Sequence, residues 1–434
     1  MAGSPTDFGS QGIQSLALSS VFGGAGRALG NPVYRRYWFG HTLAAVGRWM
    51  KRTAVGWLTW ELTESPGWLG IVASADLGPM VLFSILAGAI ADRLGLMRII
   101  KLSQILAGSV AALFATLIFS GLITIEAVLV LSVLFGASEA LGQPARMAAV
   151  HAMVGRDDLP AAIALGSAAF NASRIIGPSI AGALILLTNT GVVLALCALI
   201  FLIFFLLLRT IHIVETAKGQ KLSFKLFVDI WRGFVYVYRH PGIRFLMILM
   251  LSTSFLIRPV IELMPGVSGQ VFDMGPAGLS LLLSAIGAGA LGASLWLARR
   301  GQMAGLTGLV VLSMVGTGVA LMVAMVLDSI WVTAAFLIVV GAFMLTGNVS
   351  AQSLIQNAVD SDIRARVLGF YIVVAHGFPA LGAVIMGSIA SLAGLQVTIG
   401  TGAAFMILIW LWSRTRRDGM AQHLERSDQG DTSA

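Results

Sequence analysis

Twelve apolar runs of about 20 residues follow one another along the chain, each long enough to cross roughly 30 Å of hydrocarbon as a helix. They lie near residues 37–60, 68–91, 97–120, 122–146, 161–187, 190–210, 243–267, 275–298, 303–327, 329–356, 365–392 and 394–414. With 57% hydrophobic and only 11% charged residues among 434, the chain carries more apolar surface than soluble domains of this size bury. The expectation is an all-α integral membrane protein.

Lys and Arg near helix ends stay on the cytoplasmic side, so their placement sets the orientation. One set of loops carries Arg35, Arg36, Arg93, Arg98, Lys101, Arg156, the Lys218 to Arg244 cluster, Arg299, Arg300, Arg364, Arg366 and Arg414 to Arg417. The alternate loops carry Glu61, Glu64, Glu126, Asp273 and Asp328, with no Lys or Arg. An even number of spans then puts both termini in the cytoplasm, with the chain in the inner (plasma) membrane. The net charge of +8 reads as charge facing lipid headgroups, not as a nucleic-acid footprint. No basic residue precedes the short apolar patch SLALSSVFGGAG, as a signal peptide requires, so the first residues read as a cytoplasmic tail. Cys197 is the only cysteine, which excludes an intrachain disulfide and a thiolate metal cluster.

The longest basic segment divides the chain into an N-terminal tail (1–36), a six-helix half (37–210), a linker (211–242), a second six-helix half (243–414) and a C-terminal tail (415–434). In the linker, Phe224, Phe227, Ile230, Trp231 and Phe234 interleave with Lys225, Asp229 and Arg232 at helical spacing. That pattern predicts an amphipathic helix on the inner leaflet, as a cover for the bundle or as a partner site. The halves echo each other faintly. Val154-x-x-Asp157 returns as Val359-x-x-Asp362, and Pro178 with Gly182 has a counterpart in Pro379 with Gly382 and Gly387.

Between the second and third runs the chain reads GAIADRLGLMR, residues 88 to 98. At that junction of a twelve-run chain it resembles the signature loop of the major facilitator superfamily, G-x-L-A-D-R-x-G-(R/K)-(R/K). Gly88, Asp92, Arg93 and Gly95 match it, Ile90 replaces Leu, Arg98 keeps one cation, and Leu96 and Met97 replace the usual basic pair. The segments WMKRTAVGWLTWELTESPGWLGIV, GQPARMAAVHAMVGRDDLPAAIALGSAAFNASRIIGPSIAGALI and RPVIELMP are similar to the branch that includes enterobactin exporters and macrolide-efflux relatives. That similarity spans roughly residues 31 to 415. The resemblance implies a twelve-helix transporter that exports a small molecule, typically on the proton gradient. Gly177-Pro178-x-x-Ala181-Gly182 is similar to a Gly-Pro motif of antiporters, and such small residues also let helices pack closely.

Charges inside the runs single out the rest of the site. Arg48, Lys51, Arg52, Arg174 and Arg258 are accompanied by Asp76, Glu139 and Glu262. An isolated charge at a helix centre costs about 2.5–3.5 kcal/mol on insertion scales, so these groups are expected to face a wet cavity and one another. Positions 48, 51 and 52 fall on one helix face, predicted to line the cavity, and Arg258 with Glu262 has the i, i+4 spacing of an intrahelical pair. Asp76, Glu139, Glu262 and His376 are candidate proton carriers, with packing ion pairs as the competing reading. Trp49, Asn171, Asn348 and Gln352 are candidate substrate contacts.

These observations predict a secondary transporter, working as a monomer, with a small molecule, protons and membrane lipids as partners and no cofactor or metal. Proton-coupled export is the leading expectation. Import of an organic anion on the same fold is the alternative, since the internal cations exceed the carboxylates by five to three. A non-transporting scaffold or sensor is less expected. An enzyme is not expected, because no nucleophile-His-acid or metal-ligand cluster is visible, and the lack of a nucleotide-binding GxxxxGK(S/T) argues against a primary pump.

Overall fold

The computed structural model describes residues 26–155, 157–213, 226–359 and 361–425. Over these the chain is helical throughout, with α1 (Pro32–Thr63), α2 (Pro66–Leu94), α3 (Leu96–Phe119), α4 (Ile125–Met153), α5 (Leu159–Leu187) and α6 (Thr190–Arg209) forming the first half. A linker helix α7 (Leu226–Arg239) leads to α8 (Pro241–Leu256) and α9 (Val260–Gly266), the latter running into a π-helical turn (Val267–Val271). The second half is completed by α10 (Gly275–Arg300), α11 (Leu306–Val326), α12 (Ile330–Ala358), α13 (Ser361–Ala393) and α14 (Leu395–Arg414), and a short α15 (Arg417–Leu424) follows.

Ten spans among the described residues are long and apolar enough to cross a membrane, α8, α9 and the π turn counting as one. Helices α1 and α2 match the others in length and pack beside them. The chain is thus a multi-pass membrane protein. Its helix ends follow local chemistry. Asn31 and Asn189 accept backbone N–H groups at the starts of α1 and α6, and Thr124 does so for α4.

Buried apolar side chains form two clusters, one centred on α1–α6 and one running from Val237 of α7 through α8–α14 to Leu424 of α15, with Trp60 and Leu69 of the first half joining the second cluster. The halves meet along α2 with α13 and α5 with α10. Lipid is as apolar as Leu, so close packing and interhelical hydrogen bonds hold such contacts. A Cβ on Gly70 would strike the Ala383 carbonyl, and one on Gly182 would strike Ser280. Ser74 donates to the Ala380 carbonyl (2.5 Å), Ser284 to that of Ile175 (3.2 Å), and Ser391 accepts from the Gly67 N–H (2.9 Å). Of the Pro-Gly echo of the sequence, Gly182 and Gly387 fall on these contacts between the halves, whereas Gly382 packs on Phe255 and Pro259 within the second half.

These ties lie toward the end of the bundle opposite the one where α1 begins and α14 ends. That second end carries the basic loops and is called the basic end below. The seventh apolar run is not one regular helix: Ile257, Arg258 and Pro259 form a turn between α8 and α9. Pro259 has no N–H for the ladder, and its ring crowds the preceding turn.

Candidate functional site

A cavity of about 760 Å³ lies between the halves, with walls from both. Tyr34, His151 and Ile163 line it near the basic end, so it opens there, while the small-residue ties close the other end. Its walls are mainly apolar, with Phe135, Phe170, Phe343 and Met314 among them. Into them project Arg48, Arg52, Arg174 and Arg258 together with Asp76, Glu139 and Glu262.

The three carboxylates are all ion-paired, in three different arrangements. Lys51 Nζ donates to Asp76 Oδ1 at 2.5 Å and sits 4.1 Å from the Phe135 ring centroid. Glu139 accepts from Arg146 at 2.7 Å and has Arg48 at 3.7 Å. Glu262 is bound in a fork by Arg52, which joins α1 of one half to α9 of the other. Two cations have no salt-bridge partner among the described residues. Arg174 stands 5.4 Å from the Trp49 ring, and Arg258 donates to the Ala375 carbonyl.

Three expectations are corrected here. Arg258 does not pair with Glu262, because the turn at Ile257–Pro259 breaks the i, i+4 register and Arg52 takes the carboxylate. Lys51 does not line the cavity. It is 1% exposed and turned into the first half, since the fan from position 52 to position 51 spans about 100° of helix. Gln352 is likewise outside the cavity wall, whereas Asn348 is in it and accepts from the Tyr371 hydroxyl at 3.0 Å. Asn171 lines the wall, donating to the Ser167 carbonyl at 3.0 Å, with its Oδ1 buried and unpartnered. Trp49 also lines the wall, with Arg52 4.9 Å from its ring.

Arg146 was not anticipated. It lies in GQPARMAAV near the basic end of α4, where an Arg reads as a loop cation, yet it is 5% exposed and bound to Glu139. Its i, i+7 relation to Glu139, two helical turns on the same face, was the available signal.

The other expected residues fall as follows. Gly177 and Gly182 pack where a Cβ would meet Trp49 and Ser280, and Pro178 is buried between them. Gly88, Asp92 and Arg93 lie in the last turns of α2, with the Asp92 and Arg93 side chains outside the described residues. Gly95 is the break between α2 and α3, at φ 91° and ψ 144°, a conformation open almost only to glycine, and Arg98 is exposed beyond it. The His376 side chain lies outside the described residues. Cys197 is buried against the Gly47 carbonyl.

Two helical halves with a mainly apolar, charge-bearing cavity between them fit the family match and relatives that make the chain a major facilitator transporter of small molecules, not an enzyme. The chain belongs to the transmembrane secretion effector family, which it matches over residues 25–427. It is 24% identical to the Staphyloferrin A transporter of Staphylococcus aureus over 404 residues, covering 91% of this chain and 99% of that one. It is 27% identical to the multidrug efflux pump Tap of Mycolicibacterium fortuitum over 388 residues, 86% of this chain and 92% of the other. Among solved structures, a bacterial homologue of the human lysosomal transporter Spinster, inward-facing and occupied, superposes with a TM-score of 0.72 at 13% identity, covering 92% and 99% of the two chains.

Proposed function

We propose that the chain exports a small organic solute across the inner membrane by alternating access, exchanging it for protons. The reading counts α1 and α2 with the ten apolar spans, giving twelve in two halves, and takes the basic end as cytoplasmic with both termini there. The observation that carries it is the cavity between the halves, open at the basic end and closed at the other by small-residue contacts and the Arg52–Glu262 pair. On this orientation the conformation loads from the cytoplasm. The relatives, a siderophore transporter and an efflux pump by name, support a siderophore-like or drug-like solute moving outward.

Coupling follows from competition for the same ion pairs. A proton on Glu262, or an anionic group of the solute on Arg52, each removes one partner of the pair that ties the halves. Either event loosens the closed end, and neither requires the other at the same instant. Asp76 and Glu139 are the further proton carriers proposed, each with its cation ready to pass to the solute, and GAIADRLGLMR is the proposed gating loop. Inside-out vesicles given a chemically mixed panel of solutes provide the test. Accumulation that requires an acidic lumen and collapses with a protonophore is the expected result. Accumulation unaffected by the pH gradient removes the antiport reading.

A second reading, uptake or facilitated passage of an organic anion, draws on the cation excess in the cavity. Uptake by right-side-out vesicles with no counter-flow from the other face is the result that favours it.

A further inference from the structure

The cavity arginines outside the Arg52–Glu262 fork fall into two groups. The first is Arg48 with Arg146, two guanidiniums sharing the single carboxylate of Glu139. Their pairing is incomplete: Nη1 of Arg48 and Nη1 of Arg146 are both buried without a hydrogen-bond partner, as is Oε1 of Glu139. Arg146 is nineteen-twentieths buried, and both arginines line the cavity. A buried guanidinium N–H without an acceptor is costly, and with two guanidiniums on one carboxylate this corner carries one positive charge in excess and two N–H groups that Glu139 does not satisfy. The second group is Arg174 and Arg258, close enough to repel each other and Arg52, with neither bound to a carboxylate among the described residues. Arg48 and Arg52 are separated by four residues of α1, a rise of about 6 Å. The wall around them is apolar and aromatic, with Trp49, Phe170 and Phe343.

We propose that the transported solute is an organic acid with two carboxylate groups on an apolar body, one docking on Arg48 and Arg146 and the other on Arg174 and Arg258. The inference rests on reading this cavity as the path of the solute. Within it Glu139 is a competitor for the first carboxylate. While Arg146 is bound to Glu139 the corner is held closed by an internal anion, and a solute carboxylate takes over the guanidinium as Glu139 lets go. Neutralising Glu139 therefore tightens binding, whereas a merely structural role for the triad makes the same change neutral or harmful. Fork geometry makes arginine suited to this exchange, because two parallel N–H groups fit either carboxylate.

The test is titration of the full-length protein in lipid nanodiscs, by calorimetry and by ligand-induced thermal shift, with glutarate, adipate, butyrate and inorganic phosphate. The expected order in the wild type is a diacid above butyrate and above phosphate. Arg48→Gln weakens the diacid about tenfold, the size of one lost charge-assisted hydrogen bond. Glu139→Gln tightens it severalfold, and Arg174→Gln removes the preference for diacid over monoacid. Because Arg146→Gln alone leaves Glu139 short of its partner, the Glu139→Gln/Arg146→Gln double variant is the one used to remove that guanidinium, with weakening relative to Glu139→Gln expected. Absence of diacid binding to the wild type, unchanged affinity in Arg48→Gln, or loss of affinity in a folded Glu139→Gln protein each overturns the proposal. Phosphate bound as tightly as the diacids also overturns it, in favour of an inorganic anion site. Vesicle export is read separately, so a chain that exports a neutral solute yet binds no diacid defeats this inference and leaves the export reading standing.

Discussion

At the scale of single residues, the ion pairs carry different duties despite similar chemistry. Lys51 is almost fully buried, touches Asp76 and the Phe135 ring, and lies outside the cavity wall. Its charge has no water to return to, so Asp76 stabilises the first half as well as facing the cavity. Removing one partner of a buried pair costs about 3–5 kcal/mol, while replacing both with apolar groups is often neutral. Asp76→Asn is expected to lower the thermal unfolding temperature in detergent sharply, and Lys51→Met/Asp76→Leu to restore most of it. A stable Asp76→Asn protein that fails only in gradient-driven accumulation assigns Asp76 to proton exchange alone. Sequence reasoning found these charges because an ionisable group in an apolar run is conspicuous. It misjudged which way Lys51 points and where Arg258 pairs, since helix rotation and the break at Pro259 are set by neighbouring helices. Arg146 reads as a loop cation from its place near the basic end, and only its i, i+7 spacing to Glu139 marks the shared helix face.

At the scale of elements, the termini of helices hold the basic end together. In the second half α15 crosses α8, α11 and α12, Leu424 is 1% exposed, and the Glu425 carboxylate accepts the Gly305 and Thr307 N–H groups at 2.6 and 2.7 Å. Burial pushes the Glu425 carboxyl up, but those backbone donors and the Arg300 charge outweigh it and hold it below the usual range. A depressed carboxyl stabilises the fold above its ordinary pKa, and that contribution is lost as pH falls through the folded value. Amide protection across residues 417–424, taken as the exchange rate relative to an unstructured peptide at the same pH, is therefore expected to be high at pH 7 and to drop on acidification below the ordinary carboxylate range. Glu425→Gln should exchange fast at pH 7 already, the loss being about 1 kcal/mol for a helix-terminal acceptor. Equal protection in both proteins removes the capping role.

The break between α2 and α3 is a second element-scale test. Gly95→Ala forces a side chain into a backbone region that costs roughly 1–3 kcal/mol, so it lowers folded yield whatever the loop does. Asp92→Asn leaves the backbone alone and is expected to slow transport per folded molecule, because it shifts the balance between end states. Undiminished transport in Asp92→Asn returns the segment to a plain turn. A helix, α7, forms in the linker, with Trp231 and Tyr238 exposed and Phe234 edge-on to Phe370 of α13 at 5.6 Å. Its residues 224 and 225, and the side chains before Trp231, lie outside the described residues.

At the scale of the whole molecule, an all-helical multi-pass membrane fold was legible from run length alone, because a membrane leaves a chain few alternatives. The cavity between the halves was legible only as a requirement of the internal charges. Its shape was not, since that depends on where Gly70, Gly182 and Gly387 let helices touch, and small residues occur throughout an apolar run whether or not they mark a contact.

Alternating access requires the closed end to open once per cycle, and Gly67 and Ser391 meet there across the halves, the Gly67 N–H bonding Ser391 Oγ at 2.9 Å. The direct measurement is transport in vesicles by a Cys197→Ala protein carrying Gly67→Cys and Ser391→Cys, before oxidation, after disulfide formation and after reduction. The account predicts active transport in the reduced protein, none once the ends are linked, and full recovery with reductant. Undiminished transport with the link quantitatively formed would contradict it, because the solute would then cross without the two halves parting at that end.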